Sequence, residues 1–197
     1  MLGLRPKSVL TLHPGDIIGF SGDGWISDLI NVATFGLPRW GLSHVGILAE
    51  YKSETLLFES TTLDPLPCVI QQKLFNGVQA HRLDEVVKNY QGRVWEYPLA
   101  RPLYPHENAR LSEFLVRMIG TPYDAMGAMR SADLGLSYVE AMLSPEGLHQ
   151  VYCSELCARA YEEIGAATEC LRGRFNPNRL ARHLRHHGLL LRPLRLK

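Results

Sequence analysis

Apolar positions recur along this chain with two periods, and the switches between them mark its elements. The turn His13-Pro14-Gly15-Asp16 feeds the apolar run Ile17-Ile18-Gly19-Phe20, which predicts a first strand. Trp25, Ile26, Leu29, Ile30 and Ala33 then fall at helical spacing, and Phe35-Gly36-Leu37-Pro38 stops that helix. Residues 43–49 alternate, with His44, Gly46 and Leu48 on one face and Val45 and Ile47 on the other. The polar turn Tyr51-Lys52-Ser53-Glu54 returns the chain into residues 55–60, so the pattern predicts a β-hairpin. Short strands are expected at 69–72, 77–82 and 93–99, with a helix at 83–90.

Past a linker at 101–105, residues 106–119 read as a helix with Leu111, Phe114, Leu115 and Met118 on one stripe, stopped at Gly120. A second helical region is expected within 125–143, where Met126, Met129 and Met142 serve as adaptable packing. A further helix starts at Cys153 and ends near Gly165, and the tail predicts a helix at 176–185 and a last strand at 189–194. The chain has no internal repeat and no low-complexity segment.

The hairpin carries the first chemistry. If Glu50 pairs with Thr55, then Gly46 lies opposite Glu59, and His44 is the diagonal neighbour of Glu59 on the same face. Diagonal neighbours sit roughly 7–8 Å apart at Cα, within reach of a carboxylate and an imidazole. Each residue alone has a plainer explanation, since strand glutamates mostly face water and strand histidines are mostly hydrogen-bonded and half-buried. Both at diagonal register are less often accidental. Cys153 falls at a helix start, where unpaired N–H groups and a partial positive charge favour a thiolate. Its plain reading is a small core residue. A nucleophilic cysteine needs a base, and the base needs a third group to fix its tautomer. Cys153, His44 and Glu59 fill those roles by residue type and predicted position, and the Cys153 backbone N–H is placed to donate to a developing oxyanion.

Composition narrows the setting. A chain of 197 residues with 46% hydrophobic and 21% charged residues is expected to form a single globular domain, 1–197. The net charge of +1 gives no global field for nucleic acid. The beginning lacks a signal-peptide run and no window is apolar enough for a membrane span, so the expected location is cytoplasmic. The four cysteines (Cys68, Cys153, Cys157 and Cys170) are then expected to be reduced. A zinc site built from cysteine, histidine and glutamate lacks the close ligand pairs such sites carry, and no phosphate-cradling glycine loop is present, so no metal and no cofactor is expected. The tail from Arg179 to Lys197 is basic and without acids, which permits weak contact with an anionic surface.

The order of blocks also carries a resemblance. A Gly-Asp-Ile-Ile strand at 15–18 is followed by Leu42-Ser43-His44-Val45-Gly46-Ile47 and Phe58-Glu59-Ser60, then by Gly120-Thr121-Pro122-Tyr123-Asp124 and Tyr152-Cys153-Ser154-Glu155-Leu156. From about residue 15 to 178 the chain resembles the circularly permuted papain-like (NlpC-type) superfamily in its YiiX-like branch. The Ser-His-Val-Gly and Tyr-Cys-Ser-Glu-Leu blocks are its specific part. The resemblance implies an α+β fold, a small antiparallel sheet or barrel packed on a helical half. It also implies Cys153 as nucleophile, His44 as base and Glu59 as the orienting partner. Trp40, Ser43, Tyr152 and Tyr123 are the expected substrate-binding residues, and Tyr123 and Asp124 match a family block read as support near the site. Cys157 occupies a position usually apolar in the family and is expected to be packed and inert. The implied activity is a cysteine-dependent hydrolase of an amide bond acting through a thioester acyl-enzyme on a peptide, amide or lipid-like substrate. A lipid-type thiol acyltransferase or esterase, and a non-catalytic binding module on the same fold, are the alternatives.

Overall fold

The structure, a computed structural model, describes residues 12–22, 41–61, 65–123, 152–167 and 175–197. The helices expected within 25–34 and 125–143, together with Trp40, Asp124 and Cys170, lie outside the described residues. Six strands form one antiparallel sheet: β1 (Ile17–Ser21), β2 (His44–Tyr51), β3 (Glu54–Thr61), β4 (Gly77–His81), β5 (Arg93–Tyr97) and β6 (Leu194–Arg195), in the order β4-β3-β2-β1-β5-β6. Among the described residues there are four helices: α1 (Leu83–Asn89), α2 (Pro105–Met118), α3 (Cys153–Glu163) and α4 (Pro177–His186). The fold is α+β.

The hairpin has the register its sequence predicts, with Glu50 opposite Thr55 and Ile47 opposite Phe58. Its turn residues Lys52 and Ser53 both have positive φ, 49° and 66°. That is the turn geometry whose twist matches two antiparallel strands. Neither residue is glycine or asparagine, so each carries the cost of a left-handed backbone. Replacing Lys52-Ser53 by Asn-Gly is expected to raise stability by about 1 kcal/mol. Thermal unfolding would read this as a Tm rise of about 2–4 °C, and an unchanged or lower Tm contradicts the account.

Alternation gives the sheet two apolar faces. Ile17, Val45, Ile47, Ala49, Leu56, Phe58, Val78 and Ala80 share the larger core with Leu111 and Leu115 of α2, Leu156 and Tyr161 of α3, and Leu180 and Leu184 of α4. Ile18, Phe20, Leu48, Leu57 and Val94 pack with Leu83, Val86 and Tyr90, the smaller core around α1. Asp16, fully buried, ties the loops together: one carboxylate oxygen accepts from His13 N–H at 2.7 Å, the other from Leu99 N–H at 2.7 Å.

Two expected strands are not formed. Residues 69–72 make a turn, with Gln72 at φ 54°, although Val69 N–H still donates to the Ala80 carbonyl of β4 at 2.8 Å. The expected last strand reduces to a bridge between Leu190 and Leu99 and to the two residues of β6. Pro193 has no N–H to offer a ladder between them.

Candidate active site

His44 opens β2 and Glu59 stands near the end of β3, so the two lie at the same end of the hairpin. A Cβ at Gly46 would lie 2.6 Å from Leu57 Cδ1 and 3.2 Å from Glu59 Cβ, so glycine leaves the room that the crowded face needs. His44 Nε2 and Glu59 Oε2 are 2.6 Å apart, with both side chains buried. The diagonal pairing expected from the sequence is therefore present. Phe20, across the sheet on β1, stacks at a tilt on the His44 ring at 5.5 Å.

Glu59 has a second partner that the sequence reading missed. His81, on β4, brings Nδ1 to 2.9 Å from Glu59 Oε1. The β3–β4 register sets Glu59 opposite Gln79 and Leu57 opposite His81, so His81 is the other diagonal neighbour of Glu59. Burial alone would raise the Glu59 carboxyl, but hydrogen bonds and charge from His44 and His81 outweigh it and hold the group at about 2. An ionised carboxylate only accepts, so both histidines donate to it. His44 thus has Nδ1 left to face the cysteine.

Cys153 is the first residue of α3 and is buried. Tyr152 is the N-cap, in extended conformation (φ −95°, ψ 168°), and makes no side-chain cap hydrogen bond. The helix packs against β2 and β3, which brings the Cys153 sulfur into hydrogen-bonding and charge contact with His44. Burial alone would lower the pKa of the His44 ring. The charge and hydrogen bond of Cys153, joined by those of Glu59, push it up to about 10. Such a site can hold His44 as an imidazolium, with the ionised Glu59 carboxylate behind it.

Ties outside the helix and strand keep these groups in place. Ser154 Oγ donates to the Phe175 carbonyl at 2.7 Å. Asn178 grips Leu42 at both ends of its peptide, accepting from its N–H at 2.8 Å and donating to its carbonyl at 3.0 Å. The segment 175–178 therefore straps the start of α3 to the chain leading into His44. Lower on α3, Tyr161 OH donates to the Gly15 carbonyl at 2.6 Å.

Of the expected substrate-binding residues, Ser43 is half-buried and its hydroxyl donates to the Phe20 carbonyl at 3.2 Å. Tyr152 is buried beside Cys153. Tyr123 is half-buried, just beyond the Gly120–Thr121 pair whose backbone bonds the edge of β4 at Val78. Cys157 is fully buried in the larger core, one turn below Cys153. Burial, with the nearby charges of Cys153 and Glu59, pushes its thiol well above the ordinary range. Cys68, Cys153 and Cys157 are all free thiols. Among the described residues no group of three or more His, Cys, Asp or Glu side chains is arranged to hold a metal ion, and no helix is long and apolar enough to cross a membrane.

An antiparallel six-stranded sheet against helices, with a buried histidine–carboxylate pair beside a helix-start cysteine, defines the class of α+β fold and the kind of site present. The fold is YiiX-like. The crystal structure of metalloprotein yiiX from Escherichia coli O157:H7 is similar with a TM-score of 0.50 at 19% sequence identity, covering 79% of this chain and 67% of that one. No family model matches the sequence, and no curated protein matches it.

Proposed function

We propose that this protein is a permuted papain-like cysteine hydrolase that cleaves an amide bond, with Cys153 as nucleophile, His44 as base and Glu59 as orienting partner. The observation that carries the reading is the contact of a helix-start cysteine with a histidine whose other nitrogen donates to a buried glutamate. The Cys153 thiolate attacks the carbonyl carbon, forming a C–S bond, and the oxyanion is met by the Cys153 backbone N–H at the helix start. His44 gives its proton to the amine as the C–N bond breaks, leaving a thioester. Water then gives its proton to His44 and attacks the thioester. Breaking of the C–S bond returns the carboxylic acid product, the thiolate and the imidazolium. Glu59 keeps Nδ1 of His44 directed at the sulfur throughout and balances the ring's charge.

The yiiX neighbour is described as a metalloprotein. In this chain both Glu59 oxygens and His44 Nε2 are held in hydrogen bonds with each other and with His81, so these residues do not fit a metal ion and no step passes through one. A thiol-directed activity probe, followed by mass spectrometry of trapped acyl groups, tests the reading. The expected result is one modified peptide containing Cys153, carrying an acyl group removed by hydroxylamine. Labelling that spreads over Cys68 and Cys157 as strongly as Cys153 counts against it.

A further inference from the structure

Glu59 lies between two buried histidines, on β2 and β4, with a ring nitrogen at each of its oxygens: 2.6 Å at Oε2 and 2.9 Å at Oε1. A glutamate side chain has several rotatable bonds, and its last one turns over a broad well. A carboxylate held at one oxygen alone keeps that freedom and buries the other oxygen unsatisfied. Donors on both oxygens fix the plane of the group. We propose that His81 is a positioning residue of the site, whose Nδ1–H fixes the Glu59 carboxylate and through it the orientation and charge of His44. The inference rests on the cysteine-hydrolase reading and extends its hydrogen-bonded chain to Cys153–His44–Glu59–His81, drawn from α3 and three adjacent strands.

The charge of the site follows from the groups that face it. Cys153 and Cys157 come from α3, His44 from β2, Glu59 from β3 and His81 from β4. The Cys157 thiol is held neutral by burial. Gln79, opposite Glu59, gives its amide to the Phe75 carbonyl at 2.6 Å and adds no charge. Removing the His81 donor leaves Oε1 as the place where a proton lands. A protonated Glu59 no longer balances an imidazolium, and an uncharged His44 no longer favours the Cys153 thiolate.

The test follows the rate of iodoacetamide labelling of Cys153 against pH, by peptide mass spectrometry, in the wild type, His81→Leu, His81→Asn and His81→Gln. Asparagine carries its amide nitrogen near the place of Nδ1, and glutamine carries it one bond further out. In His81→Leu the acid limb of labelling is expected to move up by about one pH unit, which lowers the rate below that limb about tenfold. His81→Asn keeps the wild-type limb and His81→Gln shifts it. A folded His81→Leu protein with the wild-type limb overturns the inference and leaves the cysteine reading standing. If the leucine variant does not fold, identical limbs for the asparagine and glutamine variants overturn it. A wild-type Cys153 labelled no faster than an ordinary thiol overturns both readings.

Discussion

Cys153→Ala is expected to abolish hydrolysis of a small activated acyl ester, with kcat lower by on the order of 10⁶-fold, the scale seen when a hydrolase loses its nucleophile. No other group stands in for it. Cys157, the neighbouring thiol on α3, is buried and its pKa is pushed up, so it supplies neither access nor thiolate. The loss of turnover is far larger than the loss of stability. Alanine suits a helix start as well as its interior, and deleting one buried sulfur costs about 1 kcal/mol of packing, a Tm change of about 2–4 °C, with a further loss because His44 gives up a charge partner. Steady-state assay beside thermal unfolding separates the two effects. A Cys153→Ala protein that keeps even a tenth of wild-type turnover removes Cys153 from the mechanism, whereas Cys157→Ala is expected to keep turnover.

Glu59→Gln carries the second large effect, and it has a pH signature. Glutamine keeps the shape but must turn an NH₂ toward one of two ring nitrogens that donate to Glu59. His44 loses its fixed tautomer, and kcat is expected to fall by about 10³- to 10⁴-fold, as when a triad carboxylate becomes an amide. The alkaline limb of activity, set in the wild type by His44 near 10, is expected to move toward its ordinary value of 6.5. Stability responds with a definite sign. Glu59 is lowered from 4.5 to about 2, so its contribution is complete above 4.5 and lost as pH falls through about 2. His44 is raised from 6.5 to about 10, so its contribution is complete below 6.5 and lost as pH rises through about 10. The Tm gap between wild type and Glu59→Gln is therefore widest between the ordinary values of 4.5 and 6.5 and narrows on both sides. Breaking a buried charged network by removing one partner costs about 3–5 kcal/mol, which sets the scale of that gap. A gap that stays constant with pH contradicts the assigned charges.

The hairpin was legible because its turn is short. A two-residue turn fixes register, and register with a period of two fixes which side chains are neighbours, so Glu50 opposite Thr55 was enough to bring His44 to Glu59. His81 was hidden by the same logic. β4 follows β3 through a connection of fifteen residues, and no turn of that length fixes a register. Its signal was present only as alternation, with Gln79 and His81 on one face of a strand correctly placed at its start. The bracing of the site by Asn178 and Ser154 was illegible for a further reason: Asn178 grips a backbone 136 residues away, and such a contact leaves no periodic trace in the chain. The strand expected at 69–72 failed because its apolar pair lies in a turn under β4 rather than in the ladder.

The strap at 175–178 has a consequence for synthesis. A chain is made from its N-terminal end, and a domain folds as a unit. The strands that hold His44, Glu59 and His81 precede α3, yet the ties to Leu42 and Ser154 come from residues translated after it. A nascent chain thus holds β1 to β5 and its cysteine before the residues that brace them, and before β6, have been made. On the proposed mechanism, the placement of Cys153 against His44 is braced only once residues 175–178 have been made, so thiol reactivity is expected to arrive with the completed fold.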